Sequence, residues 1–244
     1  MTPIKKYQAD LERDDFIHDA TQAKAVAHLQ RLFEELMAPS VPAPKPSLLQ
    51  KWLSRQPEPV EPIQGVYFWG GVGRGKTYLV DTFYDCLPFK QKMRIHFHHF
   101  MLRVHNELQT LKGQSDPLQV VAQRLATEAR VICFDEFFVS DITDAMILGT
   151  LFEYLFELGI TLVATSNIPP DELYRNGLQR ARFLPAIALI KAHCEVVNVD
   201  SGVDYRLRTL EQAKIYHTPL DEQARLSLDS YFANLSQGAG KTKQ

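Results

Sequence analysis

The sequence predicts an α/β protein in which helices cover both faces of a parallel sheet. Three observations lead to this prediction. Short apolar segments alternate with segments of helical periodicity, the pattern of parallel strands joined by crossover helices. One apolar segment, residues 65–69, runs into a glycine-rich loop that a helix start follows at once. Another, residues 131–134, ends in two carboxylates, and open α/β sheets keep their ligands at such strand ends.

The N-terminal part is predicted to be helical. Between residues 15 and 37, apolar residues such as Phe16, Leu29 and Leu36 favour one side of a helix. Prolines at positions 39, 42, 44 and 46 then forbid a continued helix. We therefore expect four parts: an N-terminal helical segment at 1–37, a proline-rich linker at 38–60, a nucleotide-binding core at 61–200, and an incomplete C-terminal helical region with a polar tail at 201–244.

Strands and helices alternate through the predicted core. After the strand at 65–69, the predicted strands are residues 93–101, 131–137, 160–165 and 194–199. A helix starts at Tyr78, and the later predicted helices are residues 102–111, 116–129, 141–159, 169–177 and 183–193. Asp116 and Pro117 suit the cap and first turn of one helix, and Gly159 suits the end of another.

The loop after the first strand has the pattern of a phosphate-binding loop. Its sequence GGVGRGKT satisfies G-x-x-x-x-G-K-[ST], in which glycines let successive N–H groups point at phosphate oxygens. Lys76 is expected to reach the β- and γ-phosphates of ATP, and Thr77 to bind Mg²⁺. The next helix presents its N-terminus to the negative charge. The residues expected at the nucleotide are Gly70, Gly71, Val72, Gly73, Arg74, Gly75, Lys76, Thr77 and Tyr78.

A second GKT, at residues 240–242, serves as a control for this motif. No apolar strand precedes it, and Leu235 stands where the first glycine of the pattern should be. We interpret it as part of the polar tail.

Polar residues at two further strand ends suggest hydrolysis. Asp135 suits the Mg²⁺ shell, and Glu136 can take a proton from the attacking water, which is typically worth about 10²–10⁴-fold in rate. If the strand at 160–165 lies beside the phosphate-loop strand, Asn167 would lie near the γ-phosphate and could orient the water. The alternative is that Asn167 caps the next helix.

Arg180 and Arg182 are candidates for an arginine finger from a neighbouring subunit, worth roughly 10³–10⁵ in rate, or are solvated helix-end residues.

Composition is that of an ordinary soluble protein, with 45% hydrophobic and 23% charged residues. The formal charge of −2 gives no general attraction to nucleic acid. The N-terminus lacks the apolar stretch of a secretion signal, and no apolar run approaches the roughly 20 residues that span a bilayer.

Cys86, Cys133 and Cys194 are expected to be buried, inert thiols in a reducing compartment. Histidines 96, 98 and 99 lie on a predicted strand without a nearby carboxylate or cysteine, so we do not expect a metal site there.

The order of these features is that of AAA+ ATPases, and longer phrases carry a closer resemblance. GVYFWGGVGRGKTYLVDTFYDCLP, HFHHFMLRVH, VICFDEFFVSDITDAMILG and LVATSNIPPDELYRNGLQRARFLPAI resemble the ZapE family of AAA+ ATPases, and the resemblance covers about residues 7–235. It implies ATP and Mg²⁺ at Lys76 and Thr77, hydrolysis by Asp135 and Glu136, and Asn167 as the γ-phosphate sensor. It further implies Arg182 as the finger, with Arg180 as second choice. Asp19, in the phrase DATQAKAV, matches the family's D-x-x-Q and is expected either to contact adenine or to cap a helix.

The resemblance also implies a cellular role. Bacterial ZapE proteins associate with the division ring, act on FtsZ polymers in an ATP-dependent way, and work at the cytoplasmic face of the inner membrane. Mitochondrial relatives are linked to protein quality control, but the phrases here look bacterial. We therefore expect a cytoplasmic homo-oligomer, recruited to the inner membrane at the division site, that remodels FtsZ polymers. Family members continue well beyond this point, so we expect a truncated member or a fragment without the full AAA+ lid.

Two alternatives stay open at this level. A nucleotide-gated binding module would hold ATP, change shape or partner, and hydrolyse little because the lid is absent. A helicase-loader-like ATPase associated with DNA would be built on the same core, although the near-neutral charge counts against it.

Overall fold

The computed structural model describes residues 1–13, 16, 19–38 and 62–200, together with Arg225, Leu226 and Asp229. The chain divides into two compact units, Met1–Ser201 and Gly202–Gln244. The fold described in the following paragraphs is that of the first unit. The expected linker at 38–60 lies outside the described residues apart from Ala38, and so does nearly all of the expected C-terminal region at 201–244. The boundaries between the four expected parts therefore stay a prediction.

A parallel sheet of five strands forms the centre of this unit. Its strands are β1 (Gly65–Trp69), β2 (Lys92–His96), β3 (Val131–Asp135), β4 (Thr161–Ser166) and β5 (Cys194–Asn198), in the spatial order β2-β3-β4-β1-β5. The helices are α1 (Pro3–Leu11), α2 (Ala20–Met37), α3 (Lys76–Cys86), α4 (Phe97–Thr110), α5 (Pro117–Glu128), α6 (Ile142–Glu157) and α7 (Leu184–His193). Short 3-10 turns lie at Pro170–Glu172 and Arg180–Arg182. The predicted α/β fold class is confirmed.

Helices cover both faces of the sheet, as the sequence predicts. Alternate strand residues point to opposite faces. On β3, Phe134 packs in a core with α4 to α7, whereas Cys133 packs in a second core with α1 to α3. Tyr67 and Phe68 of β1 divide between the two cores in the same way. Burial on both sides explains why these strands read as continuous apolar runs rather than as alternating ones.

The strand register aligns the carboxyl ends at which the expected site residues stand. Trp69 at the end of β1 pairs with Ser166 on β4, and with Asn198 on β5. His96 at the end of β2 pairs with Asp135 on β3. Because all these strands are parallel, the segments that follow them leave the sheet at one edge.

Acidic side chains cap the N-termini of several helices, as expected from helix-capping chemistry. Asp19 accepts hydrogen bonds from the N–H groups of Thr21 and Gln22 at the start of α2. Asp116 accepts one from Gln119 at the start of α5, and Asp141 caps α6. Helix α2 therefore begins at Ala20 rather than near residue 15. The structure thus supports the capping role for Asp19, and its contact with adenine stays a prediction.

The prediction for residues 93–101 is wrong in its second half. Strand β2 ends at His96, and α4 begins at Phe97. Phe97, Phe100, Met101 and Val104 recur at intervals of three or four and are all buried, so the helix places one apolar face in the core. His98 and His99 therefore lie on a helix. In the part of the chain that the structure describes, no group of three or more His, Cys, Asp or Glu side chains is arranged to hold a metal ion.

Two other elements differ from the prediction. The helix expected at 169–177 is only a 3-10 turn at Pro170–Glu172 followed by turns, because Leu173 leaves the helical conformation with a ψ of 132° and Tyr174 then adopts a positive φ of 52°. Helix α1 lies within the helical segment expected at 1–37, but the apolar periodicity identified only residues 15–37. Thr2 caps α1 and Pro3 takes its first position. None of the described helices is long and apolar enough to cross a membrane.

The three cysteines are buried and free, which confirms their expected burial. Burial raises the pKa of the Cys133 thiol to about 12, and it also raises the pKa of Cys194.

Candidate nucleotide-binding site

The phosphate loop connects β1 to α3 in the geometry that its motif predicts. Gly73 and Gly75 have φ values of 77° and 75°, and Gly75 forms the N-terminal cap of α3. Gly70 has a φ of 151°, and a Cβ added there would lie 3.1 Å from the backbone nitrogen of Asp200. Backbone conformation therefore favours glycine at all three positions, and at Gly70 the close approach of another segment adds to this preference.

Groups of this chain hold the loop in place. Lys76 Nζ donates to the carbonyl oxygens of Gly70 and Gly71, each at 2.7 Å. Asp200 follows β5, and its Oδ2 accepts a hydrogen bond from Gly71 N–H at 3.3 Å. The other carboxylate oxygen of Asp200 lies 2.9 Å from Arg74 Nε. A carboxylate thus sits where the loop offers an N–H group and an arginine, which are donors that also suit phosphate oxygens.

Asp135 stands at the end of β3 and is held by an arginine of the neighbouring strand. Arg94 on β2 donates to both carboxylate oxygens of Asp135, at 2.8 and 3.3 Å. A third nitrogen of Arg94 donates to Asp81 on α3. Sequence reasoning did not identify Arg94 as a site residue. The only local signal is a charged residue inside a predicted strand.

Glu136 follows in a turn that β4 holds. Its φ is 54°, a left-handed conformation that is rare for residues other than glycine. Glu136 N–H donates to Thr165 Oγ1 at 3.2 Å, and Phe137 N–H donates to the Thr165 carbonyl at 2.6 Å. Ser166 Oγ donates to the Phe137 carbonyl at 2.8 Å. Phe137 is thereby buried and the Glu136 side chain stays exposed at the edge of the sheet.

The sheet order brings Asn167 to the same place. Strand β4 lies between β1 and β3, as the sequence argument for Asn167 requires. Because Ser166 pairs with Trp69, the next residues along the two strands, Asn167 and Gly70, stand at neighbouring positions. Asn167 is exposed. The described residues thus bring the phosphate loop, Asp135, Glu136 and Asn167 together at one edge.

The two arginines lie apart from these groups. Arg180 Nη2 donates to the Asp171 carbonyl at 2.6 Å, so Arg180 is bound within its own subunit. Arg182 is exposed, and within the described ranges its side chain has no ion pair or hydrogen bond. Phe183, directly after it, is fully buried and anchors the turn. No described hydrogen bond or ion pair joins either arginine to the phosphate loop of this chain.

Tyr78 contacts the N-terminal segment. Its hydroxyl donates to Asp10 Oδ2 at 2.7 Å, and its ring centroid lies 5.1 Å from that of Phe16. Burial and this hydrogen bond raise the pKa of Tyr78. The side chain therefore joins α3 to α1 and to Phe16 in the segment that follows α1. The expected contact of Tyr78 with a nucleotide stays a prediction.

The residues present fit ATP and Mg²⁺. The loop supplies hydrogen-bond donors, and one of them, Gly71 N–H, already donates to the anionic carboxylate of Asp200. The Thr77 hydroxyl and the Asp135 carboxylate are hard oxygen donors, the kind that Mg²⁺ prefers. A cation already contacts Asp135, namely the Arg94 guanidinium. The Asp200 carboxylate therefore contacts a loop group that suits an anionic phosphate, and the Arg94 guanidinium contacts the carboxylate that suits the Mg²⁺ cation.

Comparisons with known proteins agree with this geometry. The chain matches the AFG1-like ATPase family over residues 1–244. It is 54% identical to the cell division protein ZapE of Escherichia coli K12 over 243 residues, which cover 98% of this chain and 65% of that protein. It is 44% identical over 187 residues to lactation elevated protein 1 homolog B of Danio rerio, covering 72% of this chain and 37% of that one. The chain therefore spans about two thirds or less of the length of these relatives.

A solved structure supports the fold alone. AMPPCP-bound DnaA from Aquifex aeolicus has a TM-score of 0.50 and 13% sequence identity, with coverage of 91% of this chain and 62% of that one. The relatives and this structure confirm the resemblance and the fold class expected from the sequence.

Proposed function

Because the chain belongs to the AFG1-like ATPase family, we propose that it is an AAA+ ATP hydrolase that acts in cell division. One observation carries the catalytic part of this proposal. The phosphate loop, Asp135, Glu136 and Asn167 stand at adjacent carboxyl ends in the order β3-β4-β1. That order supports the proposal that Glu136 acts as the base and Asn167 as the sensor for a nucleotide held by the phosphate loop.

The residues of the chain divide the chemistry among them. When ATP binds, Lys76 Nζ exchanges the carbonyl oxygens of Gly70 and Gly71 for phosphate oxygens. Glu136 removes the proton from the attacking water, and Asn167 orients that water for in-line attack. Thr77 and Asp135 would hold Mg²⁺, which would supply charge neutralisation at the phosphates.

A second copy of the chain is proposed to complete the site through Arg182. An arginine finger must be free of contacts in its own subunit and must project from a rigid base. Arg182 is exposed, and the buried Phe183 anchors it. Arg180, by contrast, is bound to the Asp171 carbonyl. We therefore favour Arg182 over Arg180, and propose that the active form is a homo-oligomer.

The proposed substrate of the motor action is the FtsZ polymer, and the proposed place is the cytoplasmic face of the inner membrane at the division site. The name of the E. coli relative supports a role in division. The phrases DEFFVSDITDAMILG and TSNIPPDELYRNG support the more specific proposal through the family that they resemble.

The ATPase rate per subunit, measured as protein concentration rises, tests the enzymatic part. We expect the rate to climb with concentration, to vanish in Glu136→Gln, and to fall about 10³-fold or more in Arg182→Ala but much less in Arg180→Ala. Mixing Glu136→Gln with Arg182→Ala should restore activity, because a mixed oligomer contains one intact shared site. A flat, near-zero rate with intact ATP binding would instead favour a nucleotide-gated binding module.

The division part needs a separate assay. Sedimentation of purified FtsZ polymers with the active chain and ATP should differ from sedimentation with the Glu136→Gln variant. Equal pellets under both conditions would remove FtsZ as the substrate while leaving the ATPase proposal intact.

A further inference from the structure

Arg94 joins carboxylates from two different elements beside the candidate site. Its Nε donates to Asp135 Oδ2 at 2.8 Å, and its Nη2 to Asp135 Oδ1 at 3.3 Å. Its Nη1 donates to Asp81 Oδ1. The side chains of Arg94 and Asp135 are only 22% and 13% exposed, so solvent screens this pair weakly. One cation thus binds both oxygens of the carboxylate that we expect to bind Mg²⁺.

The fold determines this arrangement. Cys133 packs in the core beneath α1 to α3, and Asp135, two residues later on β3, points to the same face. Arg94 is the register partner of Cys133 on the adjacent strand β2, so its side chain can reach along that face to Asp135. Asp81 lies on α3 one helical turn after Thr77. Arg94 therefore links the helix that carries one expected Mg²⁺ ligand to the strand that carries the other.

The guanidinium competes with a divalent cation for the same oxygen atoms. Burial acts to lower the pKa of Arg94, but hydrogen bonds to Asp135 and Asp81 outweigh it and raise the pKa, so Arg94 keeps its charge. A carboxylate has about four acceptor positions, and Arg94 uses two of those on Asp135. Hard divalent cations require such oxygens and are attracted by unbalanced negative charge. Arg94 both orients the carboxylate and removes much of that attraction.

We propose that Arg94 is a positioning residue that sets the divalent-cation requirement of the site. It holds Asp135 in place and disfavours cation binding in the absence of nucleotide, so that Mg²⁺ enters together with ATP. This inference rests on the proposed function, because it takes Asp135 as the Mg²⁺ ligand. It goes beyond that function in assigning a second residue that decides when the cation can bind.

The test compares Arg94→Gln with a matched control, Arg103→Gln. Arg103 also binds one carboxylate with two nitrogens, that of Glu128, and a second one, that of Glu107, with its Nε. None of these residues is an expected nucleotide or metal ligand. Thermal unfolding of each protein is followed as MgCl₂ is titrated without nucleotide, with ionic strength held constant by NaCl. Binding of a fluorescent ATP analogue, with EDTA and with MgCl₂, is measured in parallel.

We expect Arg94→Gln to have a lower Tm than the wild-type chain in EDTA and to regain stability as MgCl₂ is added. The midpoint of this rescue should lie at a MgCl₂ concentration at least about tenfold lower than any effect on the wild-type chain, because two unbalanced carboxylates remain. Arg103→Gln should lose stability without a comparable rescue, because Arg124 still lies 3.5 Å from Glu107 and the Glu128 side chain is 47% exposed to solvent. If the glutamine variant does not fold, Arg94→Lys serves instead, since an ammonium cannot donate to both carboxylates in the same fork geometry. Its rescue should be smaller but measurable.

Two results would overturn the inference. Arg94→Gln and Arg103→Gln could respond alike to MgCl₂, which would make Arg94 a structural ion pair. Alternatively, Arg94→Lys could show no cation effect beyond that of the wild-type chain. Neither result depends on ATP, so they differ from a failure of the proposed function, which would appear as loss of ATP binding by the wild-type chain itself.

Discussion

Thr165 is expected to control the position of Glu136, and replacing it with valine would test that role. The Thr165 hydroxyl accepts a hydrogen bond from Glu136 N–H at 3.2 Å and lies 3.4 Å from the Phe134 carbonyl, to which it donates. Thr165 is 4% exposed, so water cannot easily replace these bonds. Valine keeps the branched shape and the preference for a strand, and it removes only the hydroxyl.

The magnitude follows from the bonds that are lost. Each hydrogen bond contributes about 0.5–1.5 kcal/mol net, so losing both should lower the free energy of unfolding by about 1–3 kcal/mol. Glu136 holds a positive φ of 54°, and such a conformation costs a non-glycine residue about 1–2 kcal/mol. Without the Thr165 hydroxyl, the turn can relax. A loss of about 1.4 kcal/mol in its preference would lower the population of the observed turn up to about tenfold.

The corresponding assay measures steady-state ATP hydrolysis together with chemical denaturation. We expect kcat to fall about three- to tenfold, with the KM for ATP unchanged, because the loop residues that contact phosphate are not altered. This loss is much smaller than the roughly 10²–10⁴-fold expected on removing a general base. Thr161→Val is the matched control, since Thr161 is 1% exposed on the same strand but stands at its opposite end.

The reasoning would be refuted if Thr165→Val lost stability as predicted while its kcat stayed within twofold of that of Thr161→Val. The hydrogen bond would then stabilise the fold without positioning the base. A rise in KM at constant kcat would also contradict it, because Thr165 would then act on ATP binding.

Three further predictions concern other residues. Asp200→Asn should tighten ATP binding about three- to tenfold in a fluorescence titration, because its carboxylate competes with phosphate for Gly71 N–H; weaker binding would mean that Asp200 instead holds the loop in its active shape. Asp19→Ala should lower the free energy of unfolding by about 0.5–2 kcal/mol, and Asp19→Asn should restore most of it, as for a helix cap; a change in ATP affinity in both variants would favour contact with adenine. The native chain should not react with a thiol reagent at pH 8, because burial raises the pKa of Cys133 to about 12 and also raises that of Cys194, whereas the chain in guanidinium should react at all three thiols. Rapid labelling of the native chain would show that the cores open.

Features of short sequence range were predictable. The phosphate loop requires its glycines and lysine at fixed spacing, so the motif alone placed Gly70–Gly75 between a strand and a helix that begins at Lys76. The apolar run at 131–134 gave β3, because a strand buried on both faces has no polar alternation. Acidic caps at Asp116 and Asp141 located helix starts for local reasons of the same kind.

Residues 93–101 show where local patterns lose their power. MRIHFHHFM has apolar residues that fit a strand over its first part and a helix over its second, and a short run cannot distinguish the two. Packing in the hydrophobic core determines that the second part is a helix. Phe97 and Phe100 both pack against Phe134, which only a helix at that point of the chain allows.

The sequence was sufficient for the family, the phosphate loop and the candidate carboxylates, since each depends on residues that are close together in the chain. The partners of those carboxylates depended on the packing of distant strands. Arg94 reaches Asp135 across 41 residues of chain, and Thr165 reaches Glu136 across 29. Those contacts exist because β3 lies between β2 and β4, and strand order is set by how the two cores close around the sheet, which no local pattern encodes.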